Sequence, residues 1–233
     1  MFVSIHIPKT AGTALAKIFD DTSLRRIMYE YGSERDLTTV RTCPPDVREH
    51  REFIQSYFKY LHGHFHYLKY ADVFPDAPVI TTVREPVDRV VSQYLHILRG
   101  GDRNNLRHKQ IMDGEMSIVE FSKIDFIGNA QWYYLEGRPI KEYDFIFIQE
   151  ELYYSLKKFC ERFELSEIQE YLGWFNGVPT INEKPNFMRD KLKKIFKRTK
   201  SVIITAEDRR MIAKNCERDI EVYRLAKERL KEF

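Results

Sequence analysis

Apolar positions along this chain fall into short β-branched runs that alternate with stretches of helical spacing. Phe2 to Ile7 is the first run and predicts a buried strand, ended by Pro8. Ala14 to Phe19 is apolar and rich in helix formers, so it predicts the start of a helix. Residues 21–60 are polar and mixed, with a break at Cys43-Pro44-Pro45. Within them Asp46 to Tyr60 carries Val47, Phe53, Ile54, Tyr57 and Phe58, a pattern that suits an amphipathic helix. Val79 to Val83 is continuously apolar and β-branched, as in a parallel sheet buried on both faces. Pro86 opens the next helix, where its missing N–H costs nothing, and Val87, Val90, Val91, Tyr94, Leu95 and Leu98 form its buried stripe.

Residues 99–117 are rich in Gly, Arg and Asn and predict an exposed, mobile loop, a candidate lid over an acceptor. Ser117 to Tyr134 reads as helical, with Asn129, Gln131 and Tyr134 as polar site candidates. Asp144 to Ile148 predicts a strand, and Glu150 to Phe163 a helix. Thr205 with Asp208 forms a capping box. It opens a long C-terminal helix with Ile212, Cys216, Ile220, Tyr223 and Leu230 facing inward. Strands alternating with helices predict a three-layer α/β fold with a central parallel sheet. Ligands then bind at the carboxyl ends of the strands, and Lys9 and Arg84 each follow a predicted strand.

Composition adds few constraints. The 233 residues suffice for one sizeable core, so a single domain over 1–233 is expected. No run of about twenty apolar residues exists, so no membrane span is expected, and the N-terminus lacks the pattern of a signal peptide. Cys43, Cys160 and Cys216 are odd in number and widely spaced, which argues against a disulfide framework or zinc site and fits a reducing cytoplasm. A net charge of +3 permits an acidic ligand without arguing for nucleic acid.

Between the first strand and helix lies Pro8-Lys9-Thr10-Ala11-Gly12-Thr13. Free backbone N–H groups of a first helical turn, with the helix dipole, make an anion site. Ala11 and Gly12 let backbone approach a phosphate, Thr10 and Thr13 add hydroxyls, and Lys9 adds charge. The loop is not a Walker A motif, because its lysine precedes the glycine. An ordinary βα turn with a surface lysine has the same outline. Arg84 can grip a phosphate with two parallel bonds, and Ser92, about two helical turns in, can reach the same group. Pairing of Arg84 with Glu85 or Asp88 is the competing reading. His62, His64 and His66 recur every second residue and share a face if extended, with Gly63 allowing a sharp bend.

Ile7-Pro-Lys-Thr-Ala-Gly-Thr13 resembles the 5′-phosphosulfate-binding loop of sulfotransferases, in particular the group related to heparan sulfate 2-O-sulfotransferase. Leu61 to Tyr67 resembles that group's His-Gly-His element, Ile80 to Ser92 its 3′-phosphate-binding strand and helix, and Tyr143 to Leu152 a later strand-into-helix element. The resemblance implies a P-loop-like sulfotransferase fold and an enzyme that uses 3′-phosphoadenosine 5′-phosphosulfate as sulfuryl donor. It implies His64 as general base, with His62 assisting, and a single in-line displacement without a metal. It implies Lys9, Thr10, Ala11, Gly12, Thr13, Arg84 and Ser92 as donor-binding residues. Asn182 and Lys184, in a basic stretch from Asn182 to Lys200, would close over the adenosine. The acceptor would be a hydroxyl compound, a carbohydrate being one class that the arginines of the 99–109 loop suit. The alternatives are a small-molecule kinase on a related fold, which needs a Walker lysine and an acidic metal holder, and a non-catalytic nucleotide binder.

Overall fold

The computed structural model describes residues 1–31, 43–44, 46–174 and 202–233. Asn182 and Lys184 lie outside the described residues. Among the described residues five short strands form one sheet: β1 (Phe2–Ile5), β2 (Ile27–Glu30), β3 (Tyr60–Gly63), β4 (Val79–Val83) and β5 (Phe145–Ile148). Their spatial order is β2-β3-β1-β4-β5, and every neighbouring pair is parallel. All residues of β1, β3, β4 and β5 are buried, so the sheet is covered on both faces. That is the reason its strands read as unbroken apolar runs rather than alternating ones. The three-layer α/β expectation therefore holds.

Helix α1 (Gly12–Thr22) follows β1, and α2 (Arg51–Tyr57) precedes β3. The helix expected from Asp46 to Tyr60 is this shorter α2, because Tyr60 leaves it to pair with Phe2 in the sheet. Strand β2 escaped the sequence reading: Ile27-Met28-Tyr29-Glu30 is brief and lies in polar surroundings. Helix α3 (Pro86–Gly100) has Pro86 in its first turn, and the Glu85 side chain accepts from the Val87 and Asp88 N–H groups as its cap. The predicted loop 99–117 contains a helix, α4 (Leu106–Asp113), which Asn105 caps by accepting from Arg107 and His108. The long helix expected over 117–134 is three short ones, α5 (Ile118–Ser122), α6 (Asp125–Gly128) and α7 (Ala130–Leu135). Gly128 sits where an added Cβ would meet the Asn215 carbonyl oxygen at 2.4 Å, so the chain bends there to admit the C-terminal segment.

Beyond β5 come α8 (Leu152–Phe163) and α9 (Ser166–Trp174), then α10 (Ala206–Asn215) and α11 (Glu217–Glu232). The capping box of Thr205 and Asp208 is present. The single C-terminal helix expected from sequence is broken at Cys216, and Ile220 then faces outward at 41% exposure. Two apolar clusters result: one around the sheet, the other joining α3 to α4, α5, α6 and α10. Among the described residues no helix is long and apolar enough to cross a membrane.

Candidate active site

Three adjacent strands end side by side: β3, β1 and β4. From β1 the chain runs through β2 and β3 on one side, and from β4 to β5 on the other, so the switch point where open α/β sheets bind ligands lies between β1 and β4. A cleft of about 510 Å³ opens there. His6 follows β1, His64 follows β3 and Arg84 follows β4, and all three line it. Lys9, Gly12, Thr13 and Ser92 line it as well, so the structure gathers most of the residues expected from sequence. None of the cleft-lining residues among those described is Asp or Glu.

The loop after β1 is strained. Lys9 and Ala11 have φ values of 73° and 71°, left-handed conformations that cost a non-glycine residue roughly 1–2 kcal/mol. Ala11 is the N-cap of α1, has no side chain able to accept, and no acidic residue stands in the first turn. The N-terminal amides of α1 thus meet the cleft without a cap of their own, which leaves them to an anion. Thr10 departs from expectation: its buried hydroxyl donates to the Ile7 carbonyl at 2.9 Å, so it braces the loop and offers the cleft no free hydroxyl. Burial, then Arg99 and Arg84, lowers the pKa of Lys9.

Gly12 has a packing reason. A Cβ there would sit 1.9 Å from Cδ2 of His6. That imidazole is fixed in turn, stacked on His62 at 5.1 Å, 4.3 Å from the His64 ring, and with Nδ1 3.3 Å from the Tyr31 hydroxyl. Gly12→Ala is expected to lower the thermal midpoint by roughly 2–10 °C, the scale of an overpacked core in a chain of this size. Adding His6→Ala to the same chain should restore part of the loss. Equal midpoints for the single and double variants in calorimetry would show that the two positions are not in steric conflict.

The histidines differ sharply. His62 lies within β3 at 1% exposure, with Nδ1 2.8 Å from the Ser4 hydroxyl. Burial first, then His64, pushes its pKa down to about 3. It does not line the cleft, so the expected role beside an acceptor is corrected: its ring underpins His6 instead. His64 is half-buried at the cleft, and its Nδ1 lies 2.6 Å from the His6 carbonyl oxygen. A carbonyl only accepts, so Nδ1 carries the proton and Nε2 keeps its lone pair. Burial lowers the pKa of His64, and the His6 carbonyl partly offsets this. Gly63 does not bend the chain. It ends β3 in the sheet, where a Cβ would meet the Glu30 carbonyl oxygen at 1.7 Å.

Arg84 reaches back to the loop, its Nη1 donating to the Lys9 carbonyl at 3.2 Å. Its Nε is buried and has no hydrogen-bond partner among the described residues. A buried guanidinium donor left open at a cationic cleft fits a phosphate oxygen. The alternative pairing with Glu85 is not made, since Glu85 caps α3. Asn129 is taken up in structure, its amide oxygen accepting from Arg218 and Asp219 N–H groups.

His6, His96 and His108 line the cleft and were missed in the sequence. Reading the first strand through Ile7, two residues past its end at Ile5, hid His6 inside an apolar run. His96 follows Ser92 by one helical turn, a spacing that could have revealed it. Burial, then Lys9, Arg99 and His108, lowers its pKa. His108 is brought in by α4.

The profile of the Sulfotransferase family matches residues 10–124, just under half of the chain, a span that includes His64, Arg84 and Ser92. No curated protein matches the sequence. Among solved structures, a sulfotransferase from Alicyclobacillus acidocaldarius aligns over 96% of this chain and 98% of its own, at 13% identity and a TM-score of 0.35. The family match supports placing this chain in a sulfotransferase family.

Proposed function

We propose that the chain works as one domain that moves a sulfuryl group from 3′-phosphoadenosine 5′-phosphosulfate to an acceptor hydroxyl by in-line displacement, with His64 as general base. The observation that carries this reading is the His64 tautomer. The His6 carbonyl claims Nδ1, which leaves Nε2 basic on a cleft lined by cations and open amides. The donor, when bound, supplies the sulfuryl group and a nucleotide bisphosphate as leaving group. Arg84 and Ser92 would hold its 3′-phosphate, and Lys9, Thr13 and the first amides of α1 its 5′ end. His64 removes the acceptor proton as the oxygen attacks, because an alcohol is too weakly acidic to react unaided. Lys9 and the amides stabilise charge that grows on the leaving side. A carbohydrate acceptor and a cytoplasmic setting belong to this proposal.

Transfer assays with sulfur-labelled donor and a panel of sugar, lipid and phenol acceptors test it. Label should move to at least one hydroxyl acceptor. Phosphoryl transfer from a nucleoside triphosphate, with no sulfuryl transfer, would replace the reading with the kinase alternative.

A further inference from the structure

We propose that Gln131 is the positioning residue that aims Arg84 into the cleft and thereby sets selectivity for a 3′-phosphorylated nucleotide, an inference that rests on the function proposed above. Arg84 lies just beyond the sheet ladder. The β4–β5 pairing ends at Val83 and Ile148, and the β1–β4 pairing at Ile5 and Thr81. Its backbone groups therefore lack a strand partner, and Gln131 supplies one. The Arg84 N–H donates to Gln131 Oε1 at 2.7 Å, and Gln131 Nε2 donates to the Arg84 carbonyl at 3.0 Å. A side-chain amide has the geometry of a peptide group, so it extends the ladder by one residue at the point where the guanidinium must turn toward the ligand.

Gln131 is fully buried and is itself held. Its backbone N–H donates to Asp219 at 3.2 Å, and the other carboxylate oxygen of Asp219 accepts from Trp132 N–H at 2.8 Å. Asp219 lies 3.5 Å from the buried Arg89 guanidinium, whose Nη1 donates at 2.9 Å to Gln93 on the cleft wall. A network with this many partners fixes geometry more than it adds stability. The amide oxygen and the amide nitrogen of Gln131 both pair with Arg84, and that residue ends in a guanidinium with an open donor.

The test compares wild type with Gln131→Met, nearly isosteric but unable to pair with a peptide, and Gln131→Asn, which withdraws the amide by one methylene. Calorimetry gives the affinities for 3′-phosphoadenosine 5′-phosphate and adenosine 5′-phosphate, and thermal melting monitors the fold. The variants should lose about tenfold or more for the bisphosphate, the scale of two hydrogen bonds, with less than twofold change for the monophosphate. A variant that melts lower but keeps the wild-type affinity ratio overturns the inference and leaves the proposed function standing. Equal wild-type affinities for the two nucleotides overturn the reading of Arg84 and the inference with it. If Gln131→Met fails to fold, the ratio in Gln131→Asn decides.

Discussion

His64→Ala is expected to lose roughly 10²-fold or more in turnover, the usual scale for a general base, while its affinity for 3′-phosphoadenosine 5′-phosphate stays near wild type. The split follows from geometry. In the proposed roles His64, with Nδ1 held by the His6 carbonyl, takes the acceptor proton, whereas the groups proposed to hold the anion sit on the loop after β1 and at the end of β4. His64→Asn is the sharper variant, because its amide can still donate to the His6 carbonyl but cannot take up a proton. The pH profile has a definite sign. In the proposed mechanism the neutral imidazole is the working form, and burial lowers its pKa from the ordinary value of 6.5. The rate should therefore rise with pH through an apparent pKa below 6.5 and hold until Lys9, whose pKa burial lowers, loses its proton at higher pH. His62→Ala is expected to weaken the fold beneath His6 without removing the base. Near wild-type turnover in folded His64→Asn, as judged by circular dichroism, would exclude His64 as the base.

Arg84→Ala is expected to weaken the bisphosphate by about 2–5 kcal/mol, or roughly 30- to several-thousand-fold, as when one partner of a buried charge-assisted pair is truncated. Adenosine 5′-phosphate should lose far less. The variant also removes the bond to the Lys9 carbonyl, so some loosening of the left-handed loop accompanies it. Titration calorimetry with both nucleotides separates the two effects. A loss of equal size for both would assign Arg84 to bracing the loop, and an unchanged bisphosphate affinity in a folded variant would remove it from the site.

The sheet and the cleft edge were legible because a parallel sheet buried on both faces leaves a plain signature: apolar runs whose carboxyl ends lead into charged residues, Arg84 directly after β4 and Lys9 a few residues past β1. Lys9, Gly12, Thr13, His64, Arg84 and Ser92 all reach the cleft on that logic. Side-chain commitments were not legible. Thr10 and Thr13 are the same residue type three apart, yet the first spends its hydroxyl on Ile7 and stays out of the cleft, whereas the second lines it. His62 and His64 are two residues apart, yet the ladder to Ser4 draws one into the sheet and releases the other. The helix in 99–117 was hidden because Asn105 caps it from within a run that looks like a turn. Gln131 could be singled out as polar, but its partner depends on where β4 ends relative to its neighbours.

The contacts that shape the cleft join parts of the chain synthesised far apart. His64 meets His6 across 58 positions, Gln131 meets Arg84 across 47, and Asp219 meets Gln131 across 88. A sheet of parallel strands has no hairpins to nucleate it, and each such closure costs chain entropy before any contact returns it. Assembly is therefore expected to run from local helices and apolar collapse to the cleft, which needs Glu217–Glu232 docked and Asp219 paired with Gln131. During refolding, bisphosphate capture should appear only with the slowest phase seen by fluorescence, and capture in the earliest phase would contradict this order. A chain truncated before Glu217 is expected to keep much of its secondary structure but to lose the Asp219–Gln131 contact behind Arg84, and with it affinity for the bisphosphate.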